Sequence, residues 1–366
     1  MSTIMIISMS FIFFLHVLPA AMIQSLPLAP ALYVFGDSLF DSGNNNLLPT
    51  VAKADYLPYG INFAKGVTGR FTNGKTIADF IAEFLGLPYS PPFMSIRRTT
   101  PLTGLNYASG SCGILPETGN LYGKCLNLNE QINLFERTVK SGLERHACMQ
   151  YFNMSSNELS DYLSKSIFIF SVGSNDYLNN YLEPNVYDTS KRYPPQPFAQ
   201  FLVDTLGKVF QRLYNLGGRK IIMFEIGPIG CIPSITRKKK HNAGQCVEET
   251  NQIVSFFNQR LPAFLNNLTS TLHGSTFILA QANFLGYDAI INPSKYGLED
   301  SNSPCCTTWA NGTSGCIPFI TPCLHAYKNF FWDAFHLTEA AYSLIATRCF
   351  NDSICSPFNI KELVRM

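Results

Sequence analysis

Ala31-Leu32-Tyr33-Val34-Phe35-Gly36-Asp37-Ser38 is the stretch that decides the fold: a short apolar run, closed by glycine, that delivers a polar turn. An unbroken apolar run of this length is the pattern of a strand buried on both faces, because a strand with one wet face would alternate. Similar runs recur at 166–172 (SIFIFSV), 220–226 (KIIMFEI) and 276–280 (TFILA). Between them lie segments of helical period at 75–85, 128–140, 198–216 and 248–272. Strands alternating with helices predict an α/β fold, with a parallel sheet covered by helices on both faces. In such sheets the chemistry gathers at the carboxyl ends of the strands. No internal repeat or domain-separating linker interrupts the pattern, so a single domain is expected over 31–350, followed by a C-terminal tail at 351–366.

The chain has 366 residues, 46% of them hydrophobic and only 14% charged, with a net charge of +2. That composition excludes disorder as the main state. It also lacks the basic stripe of a nucleic-acid binder. The one basic run, Arg237 to Lys240, lies between two cysteines and reads as a solvated loop. At the amino end, Ile4 to Leu18 is an apolar stretch of 15 residues. This is within the range of a signal peptide and short of the ~18 to 20 residues that a membrane span needs. A cleaved secretory signal over residues 1–25 is therefore expected, with an uncleaved anchor as the rival reading. No later segment stays apolar long enough to span.

All eleven cysteines follow that leader, and in an oxidising compartment disulfides are their default fate. An odd count leaves at least one without a partner in the chain. Local spacing favours Cys125 with Cys148, Cys231 with Cys246, and Cys349 with Cys355. Cys305, Cys306, Cys316 and Cys323 form a cluster of open connectivity, and Cys112 is left as the free thiol. The cluster is a poor zinc site, because there is no C-x-x-C pair and His325 is the only imidazole near it. Asn153, Asn267, Asn311 and Asn351 each open an N-x-S/T sequon, which in a secreted chain marks an exposed glycosylation acceptor.

The turn after the first run, Gly36 to Asn46, stands where a parallel sheet presents a nucleophile, and Ser38 is the candidate. A serine hydroxyl attacks poorly until a base takes its proton, so a histidine and an acid to orient it are needed elsewhere. Phe331-Trp332-Asp333-Ala334-Phe335-His336 offers both. Asp333 and His336 fit one tight turn, the carboxylate accepting Nδ1–H and Nε2 left facing Ser38. Donors for a developing oxyanion would come from two further segments. Asn106 to Gly113 is rich in small residues that let a backbone N–H approach a ligand, and Gly173-Ser174-Asn175-Asp176 follows the second run, with the Asn175 amide as a donor. Asp37, Asp41, Asn44 to Asn46 and Asp176 read as caps and turn braces. Arg70 reads either as a clamp for a substrate carboxylate or as half of an ion pair that ties down its loop. The sequence has no G-x-S-x-G elbow, so the sharp strand-to-helix serine turn of the α/β-hydrolase fold is not expected.

Five segments carry a resemblance: GDSLFDSGNNN (36–46), GRFTNGK (69–75), NYASGSCGI (106–114), GSND (173–176) and FWDAFHLTEAA (331–341). In order and character they resemble the blocks of the GDSL esterase/lipase family, the SGNH hydrolases, and most closely its plant secreted branch, over about residues 31 to 350. The resemblance implies a flavodoxin-like three-layer α/β/α sandwich with a five-stranded parallel sheet. It implies hydrolysis of carboxylic esters with no metal or organic cofactor. It places the nucleophile on Ser38, the acid and base on Asp333 and His336, and the oxyanion hole on Ser38, Gly110 and Asn175. Two positions depart from the branch: Leu337 stands where proline is common, and Cys112 replaces a small residue, which would alter the shape of the oxyanion loop.

The expected protein is thus a secreted, extracellular serine esterase or lipase whose partner is a small-molecule, lipid or polysaccharide ester. The same site would serve a transacylase or a deacetylase of cell-wall polysaccharide. A binding or defence protein that keeps the fold without turnover is the third class, against which the intact Ser38, Asp333 and His336 weigh.

Overall fold

In the computed structural model, which describes residues 26–97, 100–143, 154–239, 245–352 and 354–366, each of the four apolar runs forms a strand. The expected leader at 1–25, Cys148 and Asn153 lie outside the described residues. Strands β1 (Leu32–Gly36), β2 (Ile167–Ser171), β3 (Lys220–Phe224) and β4 (Thr276–Ala280) pair in chain order, all parallel. The register sets Gly36 beside Ser171 and Phe224 beside Ala280, so the strands end nearly level.

The fifth strand departs from the expected parallel one. β5 (Cys355–Ser356) is two residues long and antiparallel to β4. The connection from β4 is long enough for a parallel crossover, but the chain turns straight back after the helix Glu339–Asn351, the turn closed by the Cys349–Cys355 disulfide, and so meets β4 running the other way. The opposite edge compensates. Residues 103–109 run parallel beside β1, with Val34 N–H donating to Leu105 O (3.0 Å), Tyr107 N–H to Val34 O (2.8 Å) and Ser109 N–H to Gly36 O (3.0 Å).

Alternate strand residues feed two separate cores, which explains the unbroken apolar runs. Tyr33, Phe35, Phe168, Phe170, Met223 and Leu279 face one layer, made by α2 (Leu128–Arg137), α3 (Ser156–Lys165), α4 (Pro195–Asn215), α5 (Glu248–Asn258) and α6 (Leu261–Thr271). Val34, Ile169, Ile222 and Ile278 face the other, made by α1 (Ile77–Phe84), α7 (Ala282–Ile291) and α8 (Glu339–Asn351). Each large side chain so buried contributes about 1.5 to 3 kcal/mol. Within the first core the rings of Phe35 and Phe170 stack at 4.7 Å. The result is the α/β/α sandwich.

The single helical period expected over 248–272 is two helices, broken at Gln259 and Arg260. Pro262 is the cause: it has no N–H to give to a preceding turn and is at home only in the first turn of a new helix. The basic run does not form a loop throughout. Arg237 and Lys238 close a short helix, Pro233–Lys238, and Lys238 pairs with Glu183 at 3.4 Å. The expected tail is packed: residues 360–363 form a helical turn that buries Ile360 and Leu363. Among the described residues no helix is long and apolar enough to cross a membrane.

Five disulfides join Cys112–Cys125, Cys231–Cys246, Cys305–Cys323, Cys306–Cys316 and Cys349–Cys355. Cys112 is therefore not a free thiol, and Cys125 does not pair with Cys148. The segment between Cys112 and Cys125 doubles back, with Leu126 N–H on Ser109 Oγ (3.0 Å) and Leu128 N–H on Gly113 O (3.1 Å). That return sets the two Cα atoms 5.7 Å apart, inside the window a disulfide requires.

Candidate active site

β1 ends on Gly36, and only glycine fits there: its φ is 143°, and a Cβ would lie 2.0 Å from the carbonyl oxygen of Ser171. The chain then turns off the sheet and presents Ser38 at the carboxyl ends of the strands. Asp41 holds the turn. Its carboxylate accepts the N–H groups of Gly43 and Asn44 (both 2.7 Å), and reaches across to that of Gly110 (3.1 Å). Asn44 and Asn45 brace the neighbouring loop from below, donating to the carbonyls of Asn106, Ala108 and Gly110. These residues are structural, as their turn chemistry implied. So is Arg70, whose guanidinium takes both oxygens of buried Asp79 at 2.7 Å and does not line the cavity over Ser38.

Asp333 and His336 come from the tight turn that precedes α8, closed by Trp332 N–H on His336 O (2.7 Å). His336 lies two residues before Thr338, whose side chain caps α8 by accepting Ala341 N–H, so the helix start fixes where the imidazole sits. His336 Nε2 is 2.8 Å from Ser38 Oγ, and Nδ1 is 2.7 Å from Asp333 Oδ2. The residues that are 298 apart in sequence thus form one hydrogen-bonded chain. Phe71 packs against the imidazole with ring centroids 5.0 Å apart.

Burial alone would push the Asp333 carboxyl up, but His336, the Tyr59 hydroxyl and the Phe335 N–H outweigh it and hold the group below its usual range. An ionised Asp333 accepts only, so Nδ1 carries the hydrogen and Nε2 is left with a lone pair for the Ser38 hydroxyl. The arrangement is therefore able to deprotonate Ser38 as it attacks.

Ser38 and His336 line a cavity, and Asn175 and Ser111 line it too. Asn175 sits on the turn after β2, donating one amide N–H to Cys112 O (2.9 Å) and accepting from Asn179 (2.7 Å), which leaves its second N–H over. Asp176 anchors the two loops together, accepting from Ile114 N–H, Leu115 N–H and the Thr118 hydroxyl. Gly110 is placed differently from the expectation. Its N–H is committed to Asp41, and it does not line the cavity. The next residue does: Ser111, at φ 68°, whose N–H, like that of Ser38, carries no hydrogen bond within the described residues.

The cavity has a volume of about 500 Å³, within the range of small-molecule sites. Phe224, Ile229, Ile232, Ile290 and Phe331 form apolar walls, and Lys53, Glu183 and Lys238 lie among its polar lining. Three residues of the site escape sequence reasoning: Tyr59, Ser111 and Phe71. Ser111 had a local signal, a small residue within the loop already singled out. Tyr59 had none, since its partner is 274 residues away.

Comparison with known proteins agrees with this geometry. The family model for GDSL-like lipase/acylhydrolase matches residues 32–349. GDSL esterase/lipase 7 of Arabidopsis thaliana is 45% identical, with 93% of each chain covered. GDSL esterase/lipase At1g33811 of the same plant is 39% identical over 99% of this chain and 98% of its own. The chain belongs to the GDSL lipase/acylhydrolase family and is a carboxylic ester hydrolase.

Proposed function

We propose that the protein is a secreted serine esterase, acting on lipid or other acyl esters through an acyl-enzyme on Ser38. The observation that carries this reading is the unbroken relay from Ser38 Oγ through His336 to Asp333, at 2.8 and 2.7 Å, opening on a cavity with apolar walls. Ser38 attacks the carbonyl carbon while His336 Nε2 takes its proton. The tetrahedral oxyanion meets the N–H groups of Ser38 and Ser111 and the spare amide N–H of Asn175, with Ser111 serving where Gly110 was expected. His336 then protonates the leaving alcohol. Water, deprotonated by the same imidazole, releases the acid and restores Ser38, while Asp333 keeps Nδ1 protonated throughout.

Secretion is supported by the apolar leader and by the five disulfides, which persist in an oxidising compartment. Asn267, Asn311 and Asn351 are exposed and suit glycan attachment there. The test is to label the purified protein with a fluorophosphonate and to assay a short-chain nitrophenyl ester. We expect a single adduct on Ser38, and in Ser38→Ala no adduct and a loss of kcat of at least about 10⁴-fold. An adduct on another residue, or undiminished turnover by Ser38→Ala, would overturn the assignment.

A further inference from the structure

The Asp333 carboxylate has a partner that the serine relay does not require. Tyr59 is buried, and its hydroxyl lies 2.6 Å from Asp333 Oδ2, the same oxygen that takes His336 Nδ1. The phenol oxygen in turn accepts the backbone N–H of Cys316 at 3.1 Å. An N–H can only donate, so the phenol's single proton is directed at the carboxylate. Cys316 is itself fixed by its disulfide to Cys306, and Cys306 N–H donates to Trp332 O (2.9 Å), next to Asp333 in the chain. The stapled loop therefore grips Asp333 twice, once through the backbone and once through Tyr59. The ring has little freedom to turn away: it meets Tyr56 and Phe71 edge-on at 5.3 and 6.2 Å, and Phe71 packs on His336.

We propose that Tyr59 is a positioning residue for ester hydrolysis: it orients the Asp333 carboxylate toward His336 and, by donating to it, moderates how strongly that carboxylate holds the protonated imidazole. This rests on the serine relay read above. Without the donor, Oδ2 keeps one partner, the carboxylate is braced only through Oδ1 by the Phe335 and His336 N–H groups, and its negative charge is less dispersed. A less stabilised anion binds a neighbouring cation more tightly, so His336 would hold its proton to higher pH. The other titratable groups facing the pair are Asp37 from the serine turn, Tyr342 from α8, and Tyr56 from the Tyr59 loop. All three remain in place when Tyr59 is changed.

The experiment compares Tyr59→Phe with the natural protein in two readouts. The first is the pH profile of kcat/KM on a short-chain nitrophenyl ester. We expect kcat to fall about tenfold with KM little changed, and the acidic limb to move up by about half a pH unit. The second is the NMR titration of the His336 Cε1–H, which needs no substrate and should move in the same direction. A stronger donor of nearly the same shape, 3-fluorotyrosine placed at 59, should move both the other way, and it serves if Tyr59→Phe does not fold. A profile and a titration that stay put in either substituted protein would overturn the proposal, reducing Tyr59 to packing. A titration that moves in a protein without esterase activity would uphold the role of Tyr59 at His336 and sink the serine esterase reading instead.

Discussion

The two banks of the active site solve one problem in opposite ways. Both are irregular loops, one leaving β1 and one entering α8, that must hold a side chain still beyond the end of a regular element. On the serine bank the work falls mostly to buried polar groups, with the single Cys112–Cys125 disulfide beside them: Asp41 gathers N–H groups from its own turn and from Gly110, Asp176 ties Ile114, Leu115 and Thr118 to the β2 turn, and Asn44 and Asn45 fill the gaps. On the histidine bank two disulfides lie within residues 305–323, and Tyr59 links them to Asp333. The lesson is that saturated carboxylates and covalent staples are interchangeable as scaffolding but not in their sensitivities. The carboxylates answer to pH, the staples to redox conditions.

The contrast breaks most readily on the serine bank. Asp176→Ala leaves three buried donors without their acceptor, and we expect it to cost about 3 to 5 kcal/mol in urea unfolding. A loss under about 1 kcal/mol would mean that the carboxylate is dispensable. On the histidine bank, replacing Cys306 and Cys316 together by Ala releases a closed loop of sequence separation 10. The expected loss is about 2 to 3 kcal/mol, with treatment of the natural protein by reductant acting in the same direction. Equal stability before and after the double change would show that the staple adds nothing to the packing.

The smallest effect concerns Asp37, beside Ser38. Burial pushes its carboxyl up from 3.8 to about 7, against the pull of the Leu39 N–H and of His336, and its Oδ2 has no hydrogen-bond partner. Between those two values the folded chain holds a proton that the unfolded chain has released. The associated stability is complete below about pH 4 and is lost as the pH rises through about 7. Asp37→Asn removes the titration. The Tm of this variant relative to the natural protein should therefore climb between pH 5 and pH 8, by the equivalent of about 1 to 2 kcal/mol. A difference in Tm that does not vary with pH would argue that Asp37 is ionised in both states.

Much of this was legible in the sequence for a physical reason: a strand buried on both faces cannot alternate, so β1 to β4 announce themselves as apolar runs. The meeting of Ser38, Asp333 and His336 was legible because a serine hydroxyl at the end of a strand calls for a base and an orienting acid, and the neighbours of all three are turn formers. The helix at Ala282–Ile291 was not, since nearly every residue in it is apolar and it shows no polar face to mark a period. Nor was the choice between Gly110 and Ser111, which depends on the side chain of Asp41 reaching in from another loop. Cys112 misled because local spacing says nothing about a segment that doubles back. Tyr59 was out of reach for the same reason in larger measure, its role set wholly by contacts made after folding.

One modest feature, the two-residue β5, has a consequence for how these molecules coexist. Without Cys355 and Ser356 laid against it, β4 would offer a bare row of amide and carbonyl groups, a template on which any other extended chain can add itself. By pairing with Leu279 and Ala280, with Ile360 and Leu363 buried nearby as anchors, the chain's final turn guards the last two residues of that rim against strand addition. A purification tag fused at this end has to leave the guard in place.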